Sequence, residues 1–168
     1  RSGKGPFESL VGAGGNDRLF GGPGGEDSLI GGAGDDRIDG GGGYDLAEFW
    51  DATGGVVADL GTGTATGRGR DRLVSIEGLV GTRYDDVLTG NELSNLIRGG
   101  EGTDEIYALG STDGAADLLS SGGGQDLIDG GEGPDFVSYN ASPVPVTADL
   151  AAGEATTELG HDTYVSIE

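Results

Sequence analysis

A nine-residue motif, Gly-Gly-x-Gly-x-Asp-x-U-x with U a large apolar residue, returns at a fixed interval along much of this 168-residue chain. It reads in full from Gly31 (Gly-Gly-Ala-Gly-Asp-Asp-Arg-Ile-Asp), Gly40, Gly99 and Gly130, with Ala47 the one small residue at a U position. Looser copies start at Gly12, Gly22, Gly81, Gly90, Thr112 and Ser121. A strict short period of this kind specifies a solenoid, because each repeat is too small to bury an apolar face alone and stacked neighbours bury a continuous one. The sixth-position residues are Asp17, Asp27, Asp36, Asp45, then Asp86, Asn95, Asp104, then Asp117, Asp126 and Asp135. The spacing of nine is broken by one extra residue at Gly21 and four near Ala108–Ser111.

That regularity changes how the composition is read. With 38 glycines, 30 Asp and Glu against 9 Lys and Arg, a net charge of −21 and 34% hydrophobic residues, the chain has the profile of a disordered segment. Disorder gives no reason for a period. Collagen is excluded, since glycine does not fall at every third residue and proline numbers 5. No apolar run approaches the ~18–20 residues that span a bilayer, so no membrane span is expected. So acidic a surface repels phosphate backbones, which argues against a nucleic-acid partner. Cysteine is absent, removing disulfides, thiolate metal sites and cysteine nucleophiles together. Beginning at Arg1 without methionine or signal peptide, the chain reads as part of a longer protein.

A longer repeat lies above the nonapeptide. Asp59-Leu60 with Leu73-Val74-Ser75-Ile76-Glu77 returns as Asp149-Leu150 with Tyr164-Val165-Ser166-Ile167-Glu168, at an offset of 90–91 residues. The predicted organisation is the end of a preceding module at 1–11, a first nonapeptide block at 12–48, and a strand-rich capping or linking segment at 49–80. A second block at 81–138 and a second capping or linking segment at 139–168 follow. Val56–Leu60 and Val144–Leu150 have strand-like composition, and Pro143 and Pro145 mark the latter as an edge.

Each nonapeptide divides into a six-residue turn and a three-residue strand, two of them making one coil of about 18 residues with parallel strands on two faces. Glycines at positions 1, 2 and 4 allow a turn tight enough to aim its carbonyl oxygens inward. Position 6 closes the turn with a carboxylate. Position 8 points into the interior and supplies Leu10, Leu19, Leu29, Ile38, Ala47, Leu79, Leu88, Ile97, Ile106, Leu119, Ile128 and Val137. Alternate turns stack roughly 4.8 Å apart, enclosing carbonyl and carboxylate oxygens between them. Such a cage suits calcium, which takes six to eight oxygens and tolerates irregular geometry. Zinc would want histidine or cysteine, and the chain has 1 His and 0 Cys.

The candidate carboxylate ligands are Asp17, Asp27, Asp36, Asp45, Asp86, Asp104, Asp117, Asp126 and Asp135. Because successive carbonyls point to opposite sides of a turn, Gly12 and Gly14 should face Gly32, Gly34 and Asp36, and Gly22 and Gly24 should face Gly41, Gly43 and Asp45. In the second block Gly99 should face Gly122, Gly124 and Asp126, and Gly114 should face Gly131, Gly133 and Asp135; Gly81, Gly100 and Gly102 complete the set. Asn95 and the break at Ala108–Ser111 predict weak or empty sites nearby, and Glu8, Glu77 and Glu168 fall in sixth-position slots. A core of one small or medium side chain per repeat cannot offset the ordering of so glycine-rich a backbone, so several bound calcium ions should contribute to folding itself.

The segments Gly31–Asp39, Gly40–Glu48, Gly99–Tyr107 and Gly130–Ser138 resemble the RTX (haemolysin-type) calcium-binding repeats. The motif is the known signature of that class, so this likeness restates the calcium reading and is not independent of it. The resemblance implies an all-β parallel β-roll and a secreted, extracellular protein that leaves a Gram-negative cell through type I secretion machinery. It implies a structural and secretion-assisting role for an attached toxin or hydrolase domain, as in serralysin-type proteases and RTX toxins. The module-scale repetition also fits an adhesin or surface-layer array. Similarity to the repeat modules of mannuronan epimerases fits a calcium-dependent polysaccharide-binding accessory module.

No catalytic constellation stands out. His161 is the sole histidine and reads as a surface residue, and no P-loop, His-Glu-x-x-His or complete EF-hand loop occurs, so the chain itself is not expected to be an enzyme. Asp35 and Asp85 precede sixth-position aspartates and should be solvated. Phe49, Trp50 and Tyr139 lie where nonapeptides end and should cap the open end of the core, and Arg68, Arg70 and Arg72 form a solvated basic turn beside acidic ones.

Overall fold

The computed structural model describes residues 7–110 and 114–168. Positions 7–9 of successive nonapeptides become short strands, alternately on two faces. The strands are β1 (Ser9–Val11), β2 (Arg18–Gly22), β3 (Ser28–Ile30), β4 (Arg37–Gly41), β5 (Leu46–Glu48), β6 (Val57–Asp59), β7 (Thr64–Thr66), β8 (Arg70–Val74) and β9 (Gly78–Val80). They continue as β10 (Val87–Thr89), β11 (Leu96–Glu101), β12 (Glu105–Tyr107), β13 (Asp117–Gly123), β14 (Leu127–Asp129), β15 (Asp135–Val137), β16 (Thr147–Asp149), β17 (Glu154–Thr156) and β18 (His161–Val165). The fold is an all-β parallel solenoid, as the repeat requires. One sheet has the order β1-β3-β5-β9-β11-β13-β15, and the other β16-β17-β18-β14-β12-β10-β6-β7-β8-β4-β2.

The register follows the repeat arithmetic. Leu29 sits beside Ala47 and Leu88 beside Ile106, one coil apart, while the four extra residues near Ala108 lengthen the next coil so that Ile97 sits beside Leu119. Position 8 fills the interior: eleven of the twelve expected residues are at most 9% exposed, and Val137 is partly buried against them. The core is thus a single file of aliphatic side chains between two sheets, each worth ~1.5–3 kcal/mol on burial.

The nonapeptide blocks are separated by a three-stranded antiparallel meander, β6-β7-β8, whose outer strands each join a parallel neighbour, β10 and β4. Ala58 and Ala65 close the core beneath it. The second meander, β16-β17-β18, pairs with β14 on one side and leaves β16 at the sheet edge, where Pro143 and Pro145 predicted an edge. Of the aromatics expected to cap the core, Phe49 is buried and Tyr139 partly so, but Trp50 is 59% exposed and donates its Nε1–H to Glu48 Oε2 (2.9 Å). It lies in the turn after β5, which the Ala52 N–H closes on the Phe49 carbonyl (2.8 Å), and points outward. Arg68 is less free than a solvated turn predicts, donating to Asp51 Oδ2 at 2.7 Å. Asp35 and Asp85 are exposed yet accept the Arg70 and Thr103 amides, tying neighbouring coils.

Candidate metal centres

The aspartate at position 6 stands at the junction of turn and strand, which fixes where its carboxylate lies. One oxygen accepts the backbone N–H of the sixth-position residue one coil earlier, and these bonds form a ladder along each side of the roll. On one side Asp17 N–H donates to Asp36 Oδ1 (2.7 Å), Asp86 to Asp104 (2.9 Å) and Asp104 to Asp126 (2.9 Å). On the other, Glu8 donates to Asp27 (2.8 Å), Asp27 to Asp45 (2.9 Å) and Asn95 to Asp117 (2.7 Å).

The second oxygen is the informative one. Oδ2 of Asp17, Asp27, Asp36, Asp45, Asp104, Asp126 and Asp135 is buried with no hydrogen-bond partner. A buried carboxylate oxygen left unpaired costs several kcal/mol, so seven in one small domain demand a counter-charge. Oδ2 of Asp17, Asp36, Asp45, Asp104 and Asp135 points at the position-1 glycine of its own turn, and that of Asp27 at Gly21. At Gly31, Gly40, Gly99 and Gly130 a Cβ would come within 3.0 Å of the turn's own aspartate Oδ2, and at the last three a carbonyl of the following coil (Ser75, Ser121 and Ser166) converges on the same space. Oxygens of two kinds facing one cradle fit a hard cation such as calcium. Among the described residues no three Asp, Glu or His side chains converge, so most of an ion's ligands here would be backbone carbonyls.

In three of the four groups alternate turns stack, like position over like position. Gly14 bridges Ala33, Gly42 N–H donates to the Gly22 carbonyl (2.9 Å) and Gly102 N–H to the Gly123 carbonyl (3.0 Å). Gly32, Gly34, Gly41, Gly43, Gly122 and Gly124 lie directly over Ala13, Gly15, Gly22, Gly25, Gly100 and Gly102, all with positive φ. The Gly22 carbonyl is thus engaged in a backbone bond. The fourth group departs from expectation: Gly131 sits against Leu109 and Gly110, whereas Gly114 has nothing within 4 Å of a Cβ. The extra residues before it shift the turn out of register. Thr112, the start of that repeat, lies outside the described residues.

Two turns satisfy themselves without a cation. Asp86 accepts the Thr82 N–H (2.6 Å) on Oδ2, and the Val56 N–H (2.7 Å) and Thr82 Oγ1 (3.1 Å) on Oδ1. Asn95 accepts the Asn91 N–H (2.7 Å) and donates to the Glu77 carbonyl (3.1 Å). Both turns carry side chains where the motif has glycine, Thr82 and Tyr84 in one, Asn91 and Leu93 in the other. The substitution at Asn95 is therefore part of a whole turn rebuilt around hydrogen bonds, and Asp86 belongs with it.

Two acidic residues extend the ladders and escaped the sequence reading. Asp36 N–H donates to Asp71 Oδ1 (3.0 Å) and Asp126 N–H to Asp162 Oδ1 (3.2 Å), so Asp71 and Asp162 occupy sixth-position roles at the meanders. The signal was available: Gly67-Arg68-Gly69-Arg70-Asp71-Arg72-Leu73 matches positions 2–8 of the motif, displaced from the nine-residue frame. Asp162 is further held by Tyr139 Oη (2.6 Å), itself bonded by Tyr164 Oη (2.6 Å). Glu77 donates its carboxylate to the ladder as well, accepting Asp45 N–H on Oε2 (2.8 Å). Glu168, by contrast, reaches Asp135 through its carbonyl (3.1 Å).

Burial pushes the carboxyl of Asp104 up to about 7 and those of Asp71, Asp126 and Asp135 up to about 6, with neighbouring aspartates adding to the rise; Asp36, Asp45 and Asp86 are raised from the same leading cause. A folded-state pKa above the unfolded value of roughly 3.9 means that the metal-free fold is penalised at pH above 7 and relieved as pH falls through 7 toward 4. Circular dichroism of calcium-stripped protein should therefore show more β-structure at pH 5 than at pH 8. An unchanged spectrum between the two would contradict the assignment of charged, metal-seeking carboxylates.

With this geometry in place, a comparison with protein families finds one match. The model described as the RTX calcium-binding nonapeptide repeat (4 copies) matches residues 11–47, 80–114 and 111–137, more than half of the chain. The matched stretches hold the stacked turns and stop short of both meanders. No curated protein matches the chain.

Proposed function

The chain belongs to the RTX calcium-binding nonapeptide repeat family, and from that premise we propose that it is a calcium-triggered folding module of a secreted protein. The unpaired Oδ2 atoms carry this reading: with the carboxylates ionised, they give the fold a requirement that a cation bound between turns meets. The proposed ligands are Asp17, Asp27, Asp36, Asp45, Asp104, Asp117, Asp126 and Asp135 with the carbonyls of the turns stacked on them, while Asp71 and Asp162 continue the carboxylate ladders at the meanders. Asp86 and Asn95 stand outside the set. In a cytosol poor in free calcium such a chain stays unfolded and can be threaded through a type I exporter; outside, calcium folds it. Its role is then structural and secretion-assisting, for a toxin or hydrolase domain in which any catalysis would reside.

Isothermal titration of calcium into stripped protein tests this. Half-saturation is expected at about 10⁻⁴–10⁻³ M, the range of extracellular modules. Asp104→Asn should lower the number of ions bound, whereas Asp86→Asn should leave it unchanged. Half-saturation below about 10⁻⁶ M, tight enough to fold the chain inside a cell, would sink the secretion reading. A second reading, an adhesin or surface-layer array, is favoured by the repetition of the whole meander, β6-β8 and β16-β18, at module spacing.

A further inference from the structure

Three neighbouring strands of the eleven-stranded wall carry the same triplet. Asp17-Arg18-Leu19, Asp36-Arg37-Ile38 and Asp71-Arg72-Leu73 each set a ladder carboxylate, an arginine and a core aliphatic in that order. Strands β2, β4 and β8 are parallel neighbours, with Arg18 beside Arg37 and Arg37 beside Arg72. No other described strand has arginine at that place. With Arg70 at the start of β8, four of the chain's 9 lysines and arginines stand on these three strands.

Side chains alternate along a strand, so the aspartate and the aliphatic turn inward and the arginine outward. Asp36, Asp71, Leu19, Ile38 and Leu73 are buried, Arg18 and Arg72 are exposed and Arg37 is half-buried. The arginines rise in a row at intervals of ~4.8 Å. Like charges set side by side destabilise a sheet, and a chain of net charge −21 gains no solubility from them. The molecule itself meets only part of this charge. Arg37 Nη2 donates to Asp39 Oδ2 (2.7 Å), and Asp35 spends Oδ1 on the Arg70 backbone N–H (2.9 Å). The side chains of Arg70 and Arg72 have no ion pair among the described residues.

We infer that this row binds a sulfated polysaccharide lying across the strands, along the axis of the roll. A line of guanidinium forks matches a line of oxyanions. The choice of sulfate follows from the calcium that the fold requires. A carboxylate-bearing polymer is itself a calcium ligand and is claimed by the ion at the concentrations that fold the protein. A sulfate ester is too weak a base to compete for the ion, and its weak hydration matches that of the guanidinium. Phe20, two residues after Arg18 and exposed on the same face, offers a ring on which the C–H face of a sugar can rest. Ionic screening over about 8 Å at physiological salt confines the repulsion from acidic turns elsewhere on the roll.

Calcium switches this site without touching the ligand. Arg18, Arg37 and Arg72 are far apart in sequence and form a row only when the roll forms. Asp17 and Asp36 adjoin the row, and a cation bound to their carboxylates leaves the guanidiniums as the net charge of that face.

The proposal rests on the calcium-folded roll, so circular dichroism accompanies each titration. Dextran sulfate, neutral dextran and polygalacturonate, all dialysed against one calcium buffer, are titrated calorimetrically into the protein. Dextran sulfate should bind, polygalacturonate should bind more weakly and dextran should not bind. Arg18→Gln combined with Arg72→Gln should weaken dextran sulfate at least about tenfold, through the loss of two charge-assisted contacts, with an unchanged calcium-induced β signal. Arg98→Gln, which removes an exposed arginine from the opposite wall, should leave binding as it was. An equal loss in Arg98→Gln would reduce the effect to net charge and overturn the proposal. So would polygalacturonate bound as tightly as dextran sulfate, or folded protein that ignores dextran sulfate. A missing β signal in calcium would instead bring down the folding reading, and this site with it.

Discussion

Stripping calcium is expected to abolish the β-sheet spectrum of this protein, and restoring it at millimolar level to bring the fold back in a cooperative step. A domain of ordinary stability has about 5–15 kcal/mol in hand. The unpaired oxygens of Asp17, Asp27, Asp36, Asp45, Asp104, Asp126 and Asp135 would each cost several kcal/mol without a counter-ion. Their sum exceeds that margin. The aliphatic file from Leu10 to Val137 cannot make up the difference, since Ala47 fills one of its places and 38 residues of the chain are glycine. Far-UV circular dichroism in excess chelator and then in calcium measures this directly. A fully folded spectrum in chelator would refute it.

The second large effect is steric. Gly124 has φ 142° and lies against the backbone of Gly102, so that a Cβ there would overlap the Gly102 carbonyl. Neither backbone can yield, because Gly102 N–H is bonded to Gly123 (3.0 Å) within the same stack. Gly124→Ala should cost about 2–6 kcal/mol, combining overpacking with left-handed backbone strain, and should raise the calcium needed for folding or prevent folding at any concentration. Gly54→Ala is the control, for nothing lies within 4 Å of its Cβ and its φ is not positive. Calcium titrations of the two variants followed by circular dichroism would separate them. Equal behaviour would mean that the turns do not stack as tightly as described.

Much of this molecule is legible because nine residues make one turn and one strand, so the position of an aspartate in the period states both its neighbour and its direction. Leu19, Ile38, Leu88 and Ile128 could be placed in the interior from spacing alone, and each is at most 1% exposed. Legibility fails where the chain leaves the period. Asp71 carries out the role of a sixth-position aspartate, accepting the Asp36 amide at 3.0 Å. The meander preceding it puts it out of frame with Asp45. Asp86 fails in the opposite sense: its frame is right, but beside its backbone N–H Thr82 supplies a hydroxyl hydrogen bond that the consensus turn, with glycine at that place, cannot make. The charge of an aspartate is visible in a sequence; whether a neighbouring hydroxyl and amide have already satisfied it is not.

The unequal sheets have a consequence for shape. Each wall of the roll has seven strands in the coils, β8 and β18 counted among them, and the remaining meander strands β6, β7, β16 and β17 add four more to one wall only, giving eleven against seven. At ~4.8 Å per strand, each meander makes its wall about 10 Å longer than the wall facing it. A body built that way is a wedge, like one cut stone of an arch. Any row of such units, laid end to end in the same orientation, must curve away from the longer wall and keep curving in the same direction.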